Sequence, residues 1–156
     1  MEEPIAAEAE AIVRSLLDEW LTPFERECLA CYLQRAVSAF GCDGHRFAKR
    51  YRDLVAPRAT ALERRLAASG GHCDCEFLMN AVEPARHLWV PPVPQRPAAI
   101  DDDGPDGDEL DGLELLEPEP PDVMPRCAGV RLGSTQPCSN WATLWRPRWL
   151  PGRGWY

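Results

Sequence analysis

Thr22-Pro23-Phe24-Glu25-Arg26-Glu27-Cys28-Leu29-Ala30-Cys31-Tyr32-Leu33-Gln34-Arg35-Ala36-Val37-Ser38-Ala39-Phe40-Gly41 reads as one helix with both ends marked. Thr22 and Glu25 have capping-box spacing, and Pro23 takes the first helical position. Leu29, Leu33, Ala36, Val37 and Phe40 recur at spacings of three and four, the stripe a helix turns toward a core. Gly41 is the stop.

The same pattern extends in both directions. Residues 4–20 form an amphipathic stripe of Ile5, Ala9, Ile12, Val13, Leu16, Leu17 and Trp20, preceded by Glu2 and Glu3 where the helix dipole favours negative charge. Cys42-Asp43-Gly44 is a turn, with Asp43 a cap for the next helix, whose apolar face is Phe47, Tyr51, Leu54 and Val55. A further helix near 58–68 turns Ala59, Leu62 and Leu66 inward and ends at Gly70-Gly71. Residues 72–82 fit either an extended piece or a short helix. The expected fold is therefore mainly α, with about four helices in a Cys-containing domain over residues 1–90.

Composition changes at Pro91. Residues 91–125 carry 11 acids, one base and most of the chain's clustered prolines. Such a stretch buries too little apolar surface to offset its ordering entropy, so it reads as an acidic, disordered linker. Leu110, Leu113 and Leu116 leave room for a transient acidic helix. Residues 126–156 form a tail with five arginines, no acid, and Cys127, Cys138, Trp141, Trp145, Trp149 and Trp155. The tail either docks on the domain, stays disordered or offers a partner surface. The net charge of −8 thus comes from one segment and does not argue against local anion binding elsewhere.

Met-Glu-Glu lacks the basic start and apolar run of a signal peptide, and no apolar stretch approaches the roughly 18 residues of a spanning helix. The expectation is a cytoplasmic protein with no membrane association. A reducing compartment and an odd count of seven cysteines disfavour a disulfide framework.

Close thiols in that setting point to metal binding or electron exchange. Cys28 and Cys31 are three apart, on one side of a helix. Cys73 and Cys75, in Gly70-Gly71-His72-Cys73-Asp74-Cys75-Glu76, are two apart, on one face of an extended segment. Together they supply four ligands for a closed tetrahedral site, for which zinc is the expected ion. Secondary candidate ligands are Cys127, Cys138, His72 and Cys42, with His45 also near in sequence. Glu27, Asp74 and Glu76 oppose thiol ionisation, which argues against an activated nucleophile and suits a bound cation.

The stretches Cys28-Leu-Ala-Cys31, Phe40-Gly-Cys-Asp-Gly44, Ala56-Pro-Arg-Ala-Thr-Ala-Leu-Glu-Arg65 and Gly70-Gly-His-Cys-Asp-Cys-Glu-Phe77 resemble a family of small bacterial proteins called domain of unknown function 2695. Cys127-Ala-Gly-Val-Arg-Leu-Gly-Ser-Thr-Gln-Pro-Cys138 also looks like the end of such proteins. The resemblance implies no activity, cofactor or partner.

There is no HExxH, P-loop or GxGxxG, and the three histidines are scattered, so no catalytic residues are assigned and an enzyme is not expected. The expected function is a structural zinc protein acting as an adaptor for a protein partner. The alternatives are a thiol redox protein, or weak nucleic-acid binding. The latter would use Arg46, Lys49, Arg50, Arg52, Arg58, Arg64 and Arg65 with the tail's interleaved tryptophans and arginines.

Overall fold

A computed structural model describes residues 3–91 and 117–144. Five helices run in chain order: α1 (Glu3–Trp20), α2 (Leu29–Phe40), α3 (Arg46–Val55), α4 (Leu62–Ala68) and α5 (Asp74–Asn80). They are followed by β1 (Val82–Pro84), a 3-10 turn (Arg86–Leu88) and β2 (Trp141–Thr143). The mainly helical expectation holds, with one more helix and a small sheet. The linker expectation lies largely outside the described residues, as do Trp145, Trp149 and Trp155.

The core is the meeting of α2, α3 and α5. Leu29, Tyr32 and Leu33 of α2 face Phe47, Ala48 and Tyr51 of α3, all essentially without solvent exposure. The rings of Tyr32 and Tyr51 lie 5.5 Å apart and tilted, an edge-biased arrangement that suits aromatic quadrupoles. Leu62 and Leu66 of α4 and Phe77 of α5 close the same cluster.

Three helix starts differ from the sequence reading, and the simplest is α4, which begins at Leu62 rather than near 58. Residues 22–27 form turns, and α2 begins at Leu29 with Cys28 as its N-cap. Thr22 caps nothing ahead of it; its hydroxyl donates back to the Asp18 carbonyl. Glu27, buried, accepts from the Phe24 N–H at 2.9 Å and pairs with Arg35, which ties up the turn that the capping-box reading made helical. Nor does Asp43 cap α3. The carboxylate of Asp74, from α5, takes that place: it accepts from the N–H groups of Phe47 (2.8 Å) and Ala48 (3.3 Å).

Helix ends follow local chemistry. Gly41 stops α2 at a φ of 73°, and its N–H returns to the Val37 carbonyl. α3 ends at Val55, ahead of Pro57, since the residue before proline is biased away from helix. A Cβ on Gly71 would lie 2.7 Å from the Phe77 Cα, so only glycine lets the loop before α5 approach that helix.

The expected inward stripe of α1 is not buried: Ile5, Ile12, Val13, Leu16, Leu17 and Trp20 are all exposed. Hydrogen bonds to the described residues fasten the C-terminal end of α1 and the turn after it. Arg50 bonds Asp18 and the Leu21 carbonyl, Tyr32 donates to the same carbonyl, and Arg35 donates to the Trp20 carbonyl. Among the described residues no helix is long and apolar enough to cross a membrane.

The described part of the tail docks. β2 pairs antiparallel with β1, placing Pro84 opposite Trp141, and both Cys138 and Trp141 join the core cluster. Val90 and Glu119 exchange backbone hydrogen bonds, so the chain returns to the helical unit where it left it.

Candidate metal centre

The cysteines converge in two separate groups, and the grouping differs from the expected one. Cys28 and Cys31 meet Cys127 and Cys138, whereas Cys73 and Cys75 meet Cys42. Cys28 and Cys31 therefore do not share a site with Cys73 and Cys75. Neither His72 nor His45 belongs to either group; His45 Nε2 instead lies 2.9 Å from the Gly71 carbonyl.

The first group is built where the start of α2 meets residues 127–138. Cys28 is fully buried at the start of α2, and its sulfur accepts from the Cys31 N–H at 3.4 Å, the role a serine usually fills at an N-cap. Cys127 Sγ accepts from the N–H groups of Cys28 (3.2 Å) and Gly129 (3.4 Å). Cys31 Sγ lies 3.8 Å from Cys138 Sγ and accepts the indole N–H of Trp141 at 3.2 Å.

A scaffold of backbone contacts holds these loops together. Arg26, at a φ of 60°, accepts from the Val130 N–H at 2.9 Å and returns its guanidinium Nε to the Val130 carbonyl. The Tyr51 hydroxyl lies between the carbonyls of Glu27 (2.8 Å) and Ser134 (3.1 Å). Buried Asn140 donates to the Arg126 carbonyl at 2.8 Å. Each contact joins the α2 side to the tail side, or fixes the segment around Cys127 against the one around Cys138.

The geometry suits a cation. All four sulfurs lie within 4.8 Å of one another. Four thiolates about 2.3 Å from a tetrahedral centre would sit about 3.8 Å apart, and the Cys31–Cys138 separation has that value. The N–H donors favour charged sulfur. The side-chain contact between the Cys28 and Cys31 thiols brings Cys28 down to about 5 against the opposing effect of burial, and the same contact pushes Cys31 well up. Burial also raises Cys127. Without a cation the contact between Cys28 and Cys31 thus favours one shared thiolate over two. A bound ion removes that restriction by neutralising several thiolates together.

The second group is nearer the surface. Cys73 is the N-cap of α5, its sulfur accepting from the Glu76 N–H at 3.4 Å, while the Glu76 carboxylate accepts from the His72 N–H at 2.9 Å. Cys75 Sγ lies 3.2 Å from Cys73 Sγ, and the Cys75 N–H donates to Cys42 Sγ. The bond from the Glu76 N–H lowers Cys73, while the contact with Cys42 pushes Cys75 up to about 12.

The basic stretch 45–65 is largely occupied by local pairing. Arg50 bonds Asp18, Arg52 bonds Asp53 and Glu63, Lys49 lies 3.9 Å from Glu63, and Arg65 donates to Thr135.

The residues that sequence reasoning underrated are Trp141, as a donor to a candidate ligand, and Asp74, as the cap of α3. The tail cysteines had a readable signal, two thiols spanning a glycine-containing loop. Trp141 lies three residues beyond the second of them.

Comparison with known proteins adds a family without an activity. Residues 29–80 match the model of a protein family of unknown function, DUF2695. No curated protein and no solved structure matches the chain. The matched stretch runs from the first residue of α2 to the last of α5 and holds Cys31 and the whole second thiol group, while Cys127 and Cys138 reach the first group from outside it. Over residues 29–80, about a third of its length, the chain is therefore similar to domain of unknown function 2695.

Proposed function

We propose that this chain is a zinc-stapled binding protein, with Cys28, Cys31, Cys127 and Cys138 as a closed, structural tetrathiolate centre. The observation that carries the reading is the convergence of four sulfurs from positions about a hundred residues apart. Donor type and number match a structural zinc site, which uses four protein ligands and keeps no position for water. The ion would join the start of α2 to the tail, supplementing a core drawn from short helices and two three-residue strands. In isolated zinc peptides such closure contributes about 10–16 kcal/mol. A soft cation other than zinc would satisfy the same sulfur set.

Native mass spectrometry with elemental analysis, on full-length protein purified without chelator, tests the reading. The expected result is an ion that survives brief chelator exposure and is lost in C127S/C138S, with a large fall in thermal midpoint. Protein that carries no such ion, with Cys28, Cys31, Cys127 and Cys138 all open to alkylation in the folded state, overturns it.

A further inference from the structure

We propose that Cys42, Cys73 and Cys75 form a second cation site of a different kind, a three-thiolate centre open to solvent that takes a thiophilic divalent ion exchangeably. The three sulfurs lie within 4.8 Å of one another, and no fourth His, Cys, Asp or Glu among the described residues joins them. Cys42 is exposed and Cys73 and Cys75 are partly so. A fourth coordination position would therefore face water, the arrangement that separates sites which handle an ion or substrate from sites which only staple a fold.

The site is preorganised from beneath. Asp74, between the two cysteines, is fully buried, with its carboxylate on the Phe47 and Ala48 N–H groups and its own N–H on the Gly44 carbonyl at 2.9 Å. With the middle residue clamped inward, Cys73 and Cys75 stand together toward the surface. Gly71 packed on Phe77 fixes the approach to that segment from one side. Cys42 arrives from the turn after α2, held by the Cys75 N–H at 3.4 Å. Each sulfur that ligates the ion gives up its proton to solvent, and no electron is transferred.

Three converging sulfurs favour a cation over a disulfide, which would join two and leave the third idle. The Cys73–Cys75 separation of 3.2 Å is shorter than the roughly 3.8 Å edge of a tetrahedral thiolate site. Binding would therefore open that pair slightly. A dithiol that closes to a disulfide is the competing outcome.

The test uses reduced full-length protein titrated with zinc and read by native mass spectrometry and competition with a chromophoric chelator. Two ions per chain are expected, one withdrawn readily and one retained. C42S/C73S should lose the exchangeable ion alone. Serine at 73 still caps α5, so an unchanged circular dichroism melt confirms that the variant is folded. A cobalt-loaded sample should also change its visible spectrum on adding imidazole, and the variant should not.

Absence of an exchangeable ion from wild-type protein, or its persistence in C42S/C73S, overturns the proposal. So does a Cys73–Cys75 disulfide forming in glutathione buffer with no ion taken up, and so does a cobalt spectrum indifferent to imidazole. The proposal does not rest on the four-thiol centre. Failure of that centre removes the retained ion, whereas failure here removes the exchangeable one.

Discussion

The indole N–H of Trp141 meets the sulfur of Cys31 at 3.2 Å, so the first residue of β2 and the first turn of α2 share one hydrogen bond at the four-thiol cluster. A neutral donor aimed at a ligand sulfur spreads the thiolate's charge and fixes its direction. Partners of this kind typically change metal affinity 10- to 100-fold, roughly, when removed. Trp141→Phe keeps an aromatic ring in the core and deletes the donor. It should weaken zinc binding by about that factor while β1–β2 pairing persists, measured by chelator competition. Unchanged affinity would show that the contact is packing alone.

Asp74 is the second lever, and it acts on the fold. Its carboxylate supplies partners for two buried N–H groups at the start of α3. Asp74→Ala leaves both unpaired, at about 1–3 kcal/mol each. Asp74→Asn retains one acceptor and should lose about half as much. Urea unfolding of both variants under fixed metal loading gives the comparison. Equal stability of the alanine variant and the wild type would mean that water replaces the cap.

In metal-free protein the thiol cluster should titrate in a recognisable order. Cys28 is lowered to about 5 by the side-chain contact with the Cys31 thiol, against about 8.5 for an unfolded cysteine. A lowered folded value contributes stability that is complete above the unfolded value and is lost as pH falls through the folded one. Cys31 is raised, so it keeps its proton in the folded state where the unfolded chain would release it, and its effect is a loss of stability above about 8.5. Chelator-stripped protein should therefore hold one thiolate down to about pH 5, seen in ultraviolet absorbance, and destabilise on either side of neutrality. Cys28→Ser should abolish the low-pH thiolate signal. If all thiolate absorbance disappears near pH 8, the cluster does not share its charge in this way.

The helical character was legible because it rests on local periodicity: the stripe of Leu29, Leu33 and Ala36 is buried as read, and Gly41 ends the helix it was expected to end. The start of α2 was not, because Glu27 and Arg35 satisfy the turn at 22–27 by a contact eight residues long. The cysteine pairs were visible as pairs, but which pairs meet is a tertiary fact. Cys28 and Cys127 are 99 positions apart, and no local rule specifies that contact. The strands were invisible for a related reason: three residues each, paired across the acidic segment, are too short for alternation to register. The stripe on α1 had the right period yet is exposed among the described residues, since periodicity marks a face without saying what covers it.

The last prediction concerns the acidic segment, through the residues that flank it. Val90 donates to the Glu119 carbonyl at 2.9 Å, and Glu119 donates back to the Val90 carbonyl at 3.1 Å. In an antiparallel pair such an exchange sets the two residues about 5.5 Å apart at the Cα atoms, a span that a short glycine-containing hairpin turn closes. Residues 92–116 can then be replaced by such a turn without moving Cys127, Cys138 or Trp141. Shortening a loop of this length changes closure entropy by only about 1–2 kcal/mol, in the stabilising direction. The shortened protein should match or slightly exceed the wild-type thermal midpoint and retain its bound metal. A steep fall in midpoint with loss of the tightly held ion would show that residues 92–116 contribute to the packing of the tail against α2.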